Sequence, residues 1–184
     1  MGIKDGKWSS NIFYIDKKFR KNYEQYLFQC VLATLTILAV LLFLDVLNEA
    51  ALITALGASA FIVFTTPHQY SSDPRRLIGG YIVGLLVGFI LFLISNTELV
   101  LNLVSSKTTI LIVFASLAVG IAIFIMSITN TEHAPAAGIA LGLVINNWDY
   151  LTILFIMLAI IWLVSIKIIL KKYLIDLISL SPNK

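Results

Sequence analysis

TNTEHAPAAGIALGLVINN, residues 129–147, stands between two long apolar runs and resembles neither. A carboxylate, a histidine and a proline fall between Glu132 and Pro135, and small or apolar residues follow up to Asn146. Read as a helix from residue 135 to 147, it rises only about 20 Å at 1.5 Å per residue. A hydrocarbon core is about 30 Å thick. Whether this stretch is a crossing fixes the topology of everything else, and the charges around it give the answer.

Hydrophobic residues make up 59% of the 184 positions and charged residues 12%, roughly half the charged share of an ordinary soluble domain. Runs at 27–44, 50–66, 77–95, 109–128 and 151–170 are long enough, or nearly so, to cross a bilayer, which takes about 17–25 residues. The first follows basic residues but is longer than a signal-peptide core, and DVLNEA is a poor cleavage context, so it is read as a retained span. Cys30, the only cysteine, lies inside it and excludes an intrachain disulfide. Orientation follows lysines and arginines in short loops. With five crossings, Lys171, Lys172 and Lys184 share the outer side with Lys107, whereas a sixth crossing through 135–147 leaves Lys107 alone there. Six crossings fit better. The expectation is an all-α, polytopic membrane bundle of five full spans plus one short broken helix, in the cell membrane with both termini cytoplasmic.

The chain then divides into a basic, aromatic juxtamembrane segment (1–26), a transmembrane bundle (27–170) and a basic C-terminal tail (171–184) whose end, SLSPNK, is expected to fray. Trp8, Phe13, Tyr14, Phe19, Tyr23 and Tyr26 among the lysines read as interfacial anchors. The polar loop NTELVLNLVSSK separates two halves of three spans each. An odd number of spans per half makes the second enter from the opposite side, as in a 3+3 inverted repeat. The trace is a glutamate followed by small residues in each half, EAALITALGAS from Glu49 and EHAPAAGIAL from Glu132. Gly80, Gly84 and Gly88 share one helix face, as do Gly138 and Gly142, and Ala51, Ala55 and Ser59. Small residues four apart let helix backbones approach closely. Tight packing accounts for these stripes fully.

Ionisable groups in or beside spans are costly and are the first candidates for function. In TTPHQYSSDPRRLIGGY, Pro67 ends the second run, Asp73 is suited to cap a helix and Pro74 to begin it. Arg75 and Arg76 then oppose the helix dipole in the first turn, which suits them to hold an anion or a lipid phosphate, or to mark the cytoplasmic face. Glu132 and His133 precede a helix start at Pro135 with free backbone N–H groups, a ready site for an anion. His68, Arg75, Arg76, Glu132 and His133 all fall at the inner ends of spans. His133 exchanges a proton near neutral pH, and Glu132 beside it favours the imidazolium; an anion carrier or a proton-coupled pathway could use that, while capping the short helix or satisfying a neighbouring carbonyl is the plainer role. With two histidines and no completing Cys or carboxylate spacing, no metal or other cofactor is expected. No nucleophile and base, phosphate loop or cofactor fingerprint points to an enzyme.

GASAFIVFTTP (57–67), DPRRLIGGYIVGLLVG (73–88) and HAPAAGIAL (133–141), in this order and spacing, resemble the HPP family of small integral membrane proteins, named for a His-Pro-Pro motif. The resemblance spans about residues 27–170 and marks His133 and Pro135, with Pro74, Arg75, Gly79 and Gly80, as motif positions. Ala134 departs from the pattern, standing where the family has its first proline, and loosens the approach to the short helix. The resemblance implies a bundle of four or more spans and transport; some chloroplast and cyanobacterial members are linked to nitrite.

The expected function is therefore a transporter or channel for a small inorganic anion such as nitrite, with His133, Pro135, Glu132, Arg75, Arg76 and His68 toward the substrate. The alternative is an assembly protein that binds subunits or lipids through its glycine faces, at Gly79, Gly80, Gly84, Gly88, Gly138 and Gly142. Expected partners are membrane lipids, a small anion and a second copy of the chain, with no role for nucleic acid.

Overall fold

A computed structural model describes residues 17–43, 50–104 and 106–178. Glu49, the aromatic residues before Lys17 and the SLSPNK end lie outside the described residues. The described chain is helical: α1 (Lys17–Phe43), α2 (Ala50–Thr65), α3 (Pro74–Ser95), α4 (Glu98–Leu103), α5 (Lys107–Thr129), α6 (Ala134–Ile145) and α7 (Tyr150–Leu170). A single 3-10 turn at Tyr70–Ser72 joins α2 to α3.

Four helices, within α1 and at α3, α5 and α7, are long and apolar enough to cross a membrane. The run at 50–66, expected to be a full span, is the 16-residue α2, about 24 Å long. It stops at Thr65, before Thr66 and Pro67 turn the chain. The 12-residue α6 reaches about 18 Å. Each half thus runs long, short, long, and the two short helices pack side by side with α3 and α5 against α6, and α1 and α7 against α2. The loop expected between the halves instead contains α4, a helix of 6 residues with none buried.

Asp73 caps α3 as its sequence suggests, its carboxylate accepting from the Arg75 N–H at 3.1 Å, with Pro74 in the first turn. The glycine face of α3 lies on α6. A Cβ on Gly80 would stand 2.8 Å from His133 Cβ, one on Gly88 2.8 Å from the Ala140 carbonyl oxygen, and one on Gly84 would run into the Ala136 carbonyl. Gly79 similarly admits the Thr131 side chain, whereas Gly138 makes only ordinary contact with Ala55 and Gly142 is buried in α6. Around this seam Leu77, Tyr81, Ala136, Ile139, Ala140 and Leu143 are inaccessible. The outer faces carry Leu42, Ile112, Phe124, Ile128, Leu151 and Trp162, as surfaces facing lipid do.

Beyond α7 the chain turns back instead of leaving the bundle. Leu174 and Leu177 are buried, the Leu177 N–H donates to the Thr65 carbonyl at 2.7 Å, and Gln29 of α1 clasps Ile175 through both its amide nitrogen and its amide oxygen, each at 3.0 Å. The same Gln29 nitrogen donates to the Phe64 carbonyl at 2.5 Å. The first half of α1, the end of α2 and the segment after α7 therefore meet at one end of the bundle.

Candidate functional site

At that end the α5–α6 link crosses the start of α3. Asn130 ends α5 in the left-handed conformation, φ 57°, which asparagine tolerates better than most residues. The link then runs extended through His133, φ −141° and ψ 100°. In extended backbone successive side chains point opposite ways. Glu132 accordingly faces outward while His133, 2% exposed, faces the core.

Arg76 is buried at 3% exposure and forms an ion pair with Glu132. Its other terminal nitrogen donates to the Asn130 side-chain oxygen at 2.5 Å, and its guanidinium lies 3.0 Å over the Tyr70 ring. The Tyr70 hydroxyl also donates to the Asn130 oxygen, at 2.7 Å, and reaches the Glu132 carboxylate at 3.4 Å. The Glu132 carboxyl is held below the usual carboxylate range, chiefly by its own backbone N–H and then by Arg76. Arg75, the preceding residue, is about 100° around the helix and exposed.

Beneath this pair lies a second polar group. His133 Nε2 is 2.8 Å from Ser59 Oγ of α2, Ser59 Oγ is 2.8 Å from the Tyr81 hydroxyl of α3, and that hydroxyl donates to the Ala55 carbonyl at 3.2 Å. All three side chains are buried. The imidazole thus occupies the N-cap position of α6 without making a side-chain cap bond, so the plain capping role is not the one it performs. Pro135 is buried in the first turn of α6.

Proximity in sequence misled in two places. Glu132 does not stand against the His133 ring, because the extended link sends its carboxylate to Arg76. His68 is at the same end but is engaged elsewhere: its backbone N–H donates to Asp176 Oδ1 at 2.9 Å, and its Nδ1 is 3.7 Å from the same oxygen. Among the expected residues, Arg76 and Glu132 pair at the surface end of the site, His133 and Pro135 are buried in the core, and Arg75 and His68 stand apart.

Four groups of the site escaped the sequence reading: Tyr70, Asn130, Ser59 and Tyr81. Ser59 figured only as a member of a small-residue stripe. Lys167 of α7 is also buried, its amine bound to the Ser72 carbonyl. No three His, Cys, Asp or Glu side chains come together among the described residues.

No curated protein and no solved structure matches the chain. The family model described as "HPP, transmembrane region" matches residues 18–175, from the start of α1 through the segment that Gln29 clasps. With its apolar helices, the glycine seam between α3 and α6, and this match over nearly all of its length, the chain is a multi-pass integral membrane protein and belongs to the HPP transmembrane-region family.

Proposed function

We propose that the chain carries a small inorganic anion across the cell membrane, with nitrite the substrate that the family favours, and that the anion enters where Arg76 meets Glu132. The observation that carries this reading is the unequal burial of that pair. The side chain of Arg76 is 4% exposed and that of Glu132 44%. The cation is fixed by Asn130 and the Tyr70 ring, whereas its counter-ion sits on an irregular link and is the easier partner to displace. A small oxyanion offers the guanidinium the same paired acceptors as a carboxylate.

Further support comes from the helix plan. Short apolar segments in corresponding positions of two halves point to a transporter's binding site, and here α2 and α6 supply Ser59 and His133. Packing of α3 on α6 is matched by α7 on α2, and α5 on α6 by α1 on α2, as an inverted 3+3 repeat requires. The excess of lysine and arginine at the Arg76 end supports a cytoplasmic side for it and for both termini.

The test is nitrite uptake by purified protein in proteoliposomes at alkaline pH, with nitrate, formate and chloride as competitors. Arg76→Gln and His133→Ala are expected to lose uptake and Arg75→Gln to keep it. Wild-type uptake no faster than that of empty liposomes would sink the proposal.

A further inference from the structure

Only one order of donors makes hydrogen bonds of all three contacts around Ser59. A carbonyl oxygen only accepts, so the single hydroxyl proton of Tyr81 goes to Ala55. The Tyr81 oxygen must then accept from Ser59, whose only proton is thereby used. Ser59 in turn accepts from His133, which requires a proton on Nε2. A neutral imidazole has one ring proton. Nδ1 is therefore a bare lone pair, and it has no hydrogen-bond partner although the side chain is 98% buried. The reverse order of donors would leave the Tyr81–Ala55 contact without a proton and make Nδ1–H depend on the Ser71 main chain, which stands beside the ring but outside hydrogen-bond geometry.

An unpartnered buried base is costly, and the surroundings show what it is suited to take. From α3 the ionisable neighbours are Tyr81, committed to Ser59 and Ala55, and Arg76, committed to Glu132 on the link. On the α2–α3 connection Tyr70 is bound to Asn130 and Glu132, and Asp73 caps α3. From α7, Lys167 is bound to the Ser72 carbonyl. α2 and α6 contain no ionisable residue, and the only one of α5 is Lys107 at its opposite end. An anion moving past Arg76 thus meets no uncommitted cation, and a lone charge in such an interior costs several kcal/mol. A proton on Nδ1 supplies the missing charge. The main chain of Ser71 stands beside the ring, so a small movement of the 66–73 connection gives Nδ1–H a carbonyl acceptor.

We propose that His133 Nδ1 is the base that takes up the proton accompanying the anion, with Ser59 and Tyr81 as the positioning residues that hold the Nε2–H tautomer, which makes transport an anion–proton symport. The proton comes from water on the side where the anion enters and leaves to water on the other side. Nε2, Ser59 and Tyr81 keep their protons, the loaded site is a neutral imidazolium–anion pair, and no bond within the anion changes. This inference rests on the transport reading above, and its tests separate the two.

The chain has two histidines, so nitrogen-15 histidine labelling of the full chain in micelles, with His68→Gln to assign the signals, reads the tautomer without any flux. The expected result is a protonated Nε2 and a bare Nδ1, with Ser59→Ala and Tyr81→Phe each admitting the other tautomer; a proton on Nδ1 of the neutral wild-type ring overturns the proposal. In proteoliposomes, an acid-outside pH gradient is expected to accelerate nitrite uptake beyond that of empty liposomes, and a valinomycin-imposed potential to leave it unchanged. His133→Gln, and more weakly Tyr81→Phe, is expected to remove the acceleration. Uptake driven by potential and indifferent to the pH gradient would overturn symport and leave transport standing, whereas no uptake at all would overturn both.

Discussion

Arg75 and Arg76 are the same residue type one position apart, and the helix gives them opposite environments. Arg76 has three partners, Tyr70 from the connection just before α3 and Asn130 and Glu132 from the distant α5–α6 link, while Arg75 is exposed. Arg76→Gln is therefore expected to lower the unfolding temperature in detergent clearly and Arg75→Gln to leave it nearly unchanged, as surface charges usually do. Because the folded protein holds the Glu132 carboxyl below its ordinary range, Glu132 binds fewer protons folded than unfolded, and its stabilising effect is full above that range. It is lost as pH falls through the lowered value. The stability gap between wild type and Glu132→Gln should accordingly narrow on acidification, and melting curves across that range check it. Which arginine is buried was not legible in the sequence, because the element that covers it, the link from Asn130 to Glu132, is more than fifty residues away. His133 was legible because an ionisable group at such a depth has few idle uses. Ser59 was not: Thr34, Thr36, Ser116, Ser127 and Ser165 all satisfy their hydroxyls on the carbonyl four residues back, and nothing local marks Ser59 as the exception.

At the scale of elements, α3 and α6 are held together by what glycine leaves out. Gly84 admits the Ala136 carbonyl and Gly88 that of Ala140, whereas nothing stands within 4 Å of where a Cβ on Gly120 of α5 would lie. Gly84→Ala is expected to cost about 1–3 kcal/mol by overpacking. Gly120→Ala should be neutral or slightly stabilising, since alanine is the better helix former by about 1 kcal/mol in water. Thermal or denaturant unfolding of the two variants side by side measures the contrast. The glycine spacing announced this seam, because a four-residue period puts the same face forward whatever the partner. The end of α2 was legible as well, since Pro67 closes the 50–66 run and the helix stops at Thr65; the misreading was to count its 16 residues with the full spans instead of with α6. α4 was missed because six residues, none of them buried, between two polar stretches carry no burial pattern to read.

For the whole molecule, the segment after α7 acts as a clasp across the first half of α1 and the end of α2. The Gln29 amide is its centre, since it serves the Phe64 carbonyl and both main-chain groups of Ile175. Gln29→Leu leaves those groups unpaired, which costs roughly 1–3 kcal/mol for each buried group left without a partner. The variant should lose the C-terminal segment to limited proteolysis while the helices survive; equal resistance in wild type and variant would show that the clasp is held by Leu174 and Leu177 instead.

The same clasp makes the topology testable. It joins the first half of α1 to the segment after α7, and an even number of crossings is the arrangement that returns both to one face of a bilayer. α4 follows α3 at the other end of that helix and should face the opposite side. Cys30 is the only cysteine, so a Cys30→Ser background gives clean single-cysteine variants at exposed Phe19, Thr97 and Ile178. In oriented vesicles a membrane-impermeant maleimide should label Phe19→Cys and Ile178→Cys from one side and Thr97→Cys from the other. Labelling of Phe19→Cys and Ile178→Cys from opposite sides would mean that α2 and α6 do not both complete a crossing, and the cytoplasmic placement proposed for Arg76 and Glu132 would fall with it.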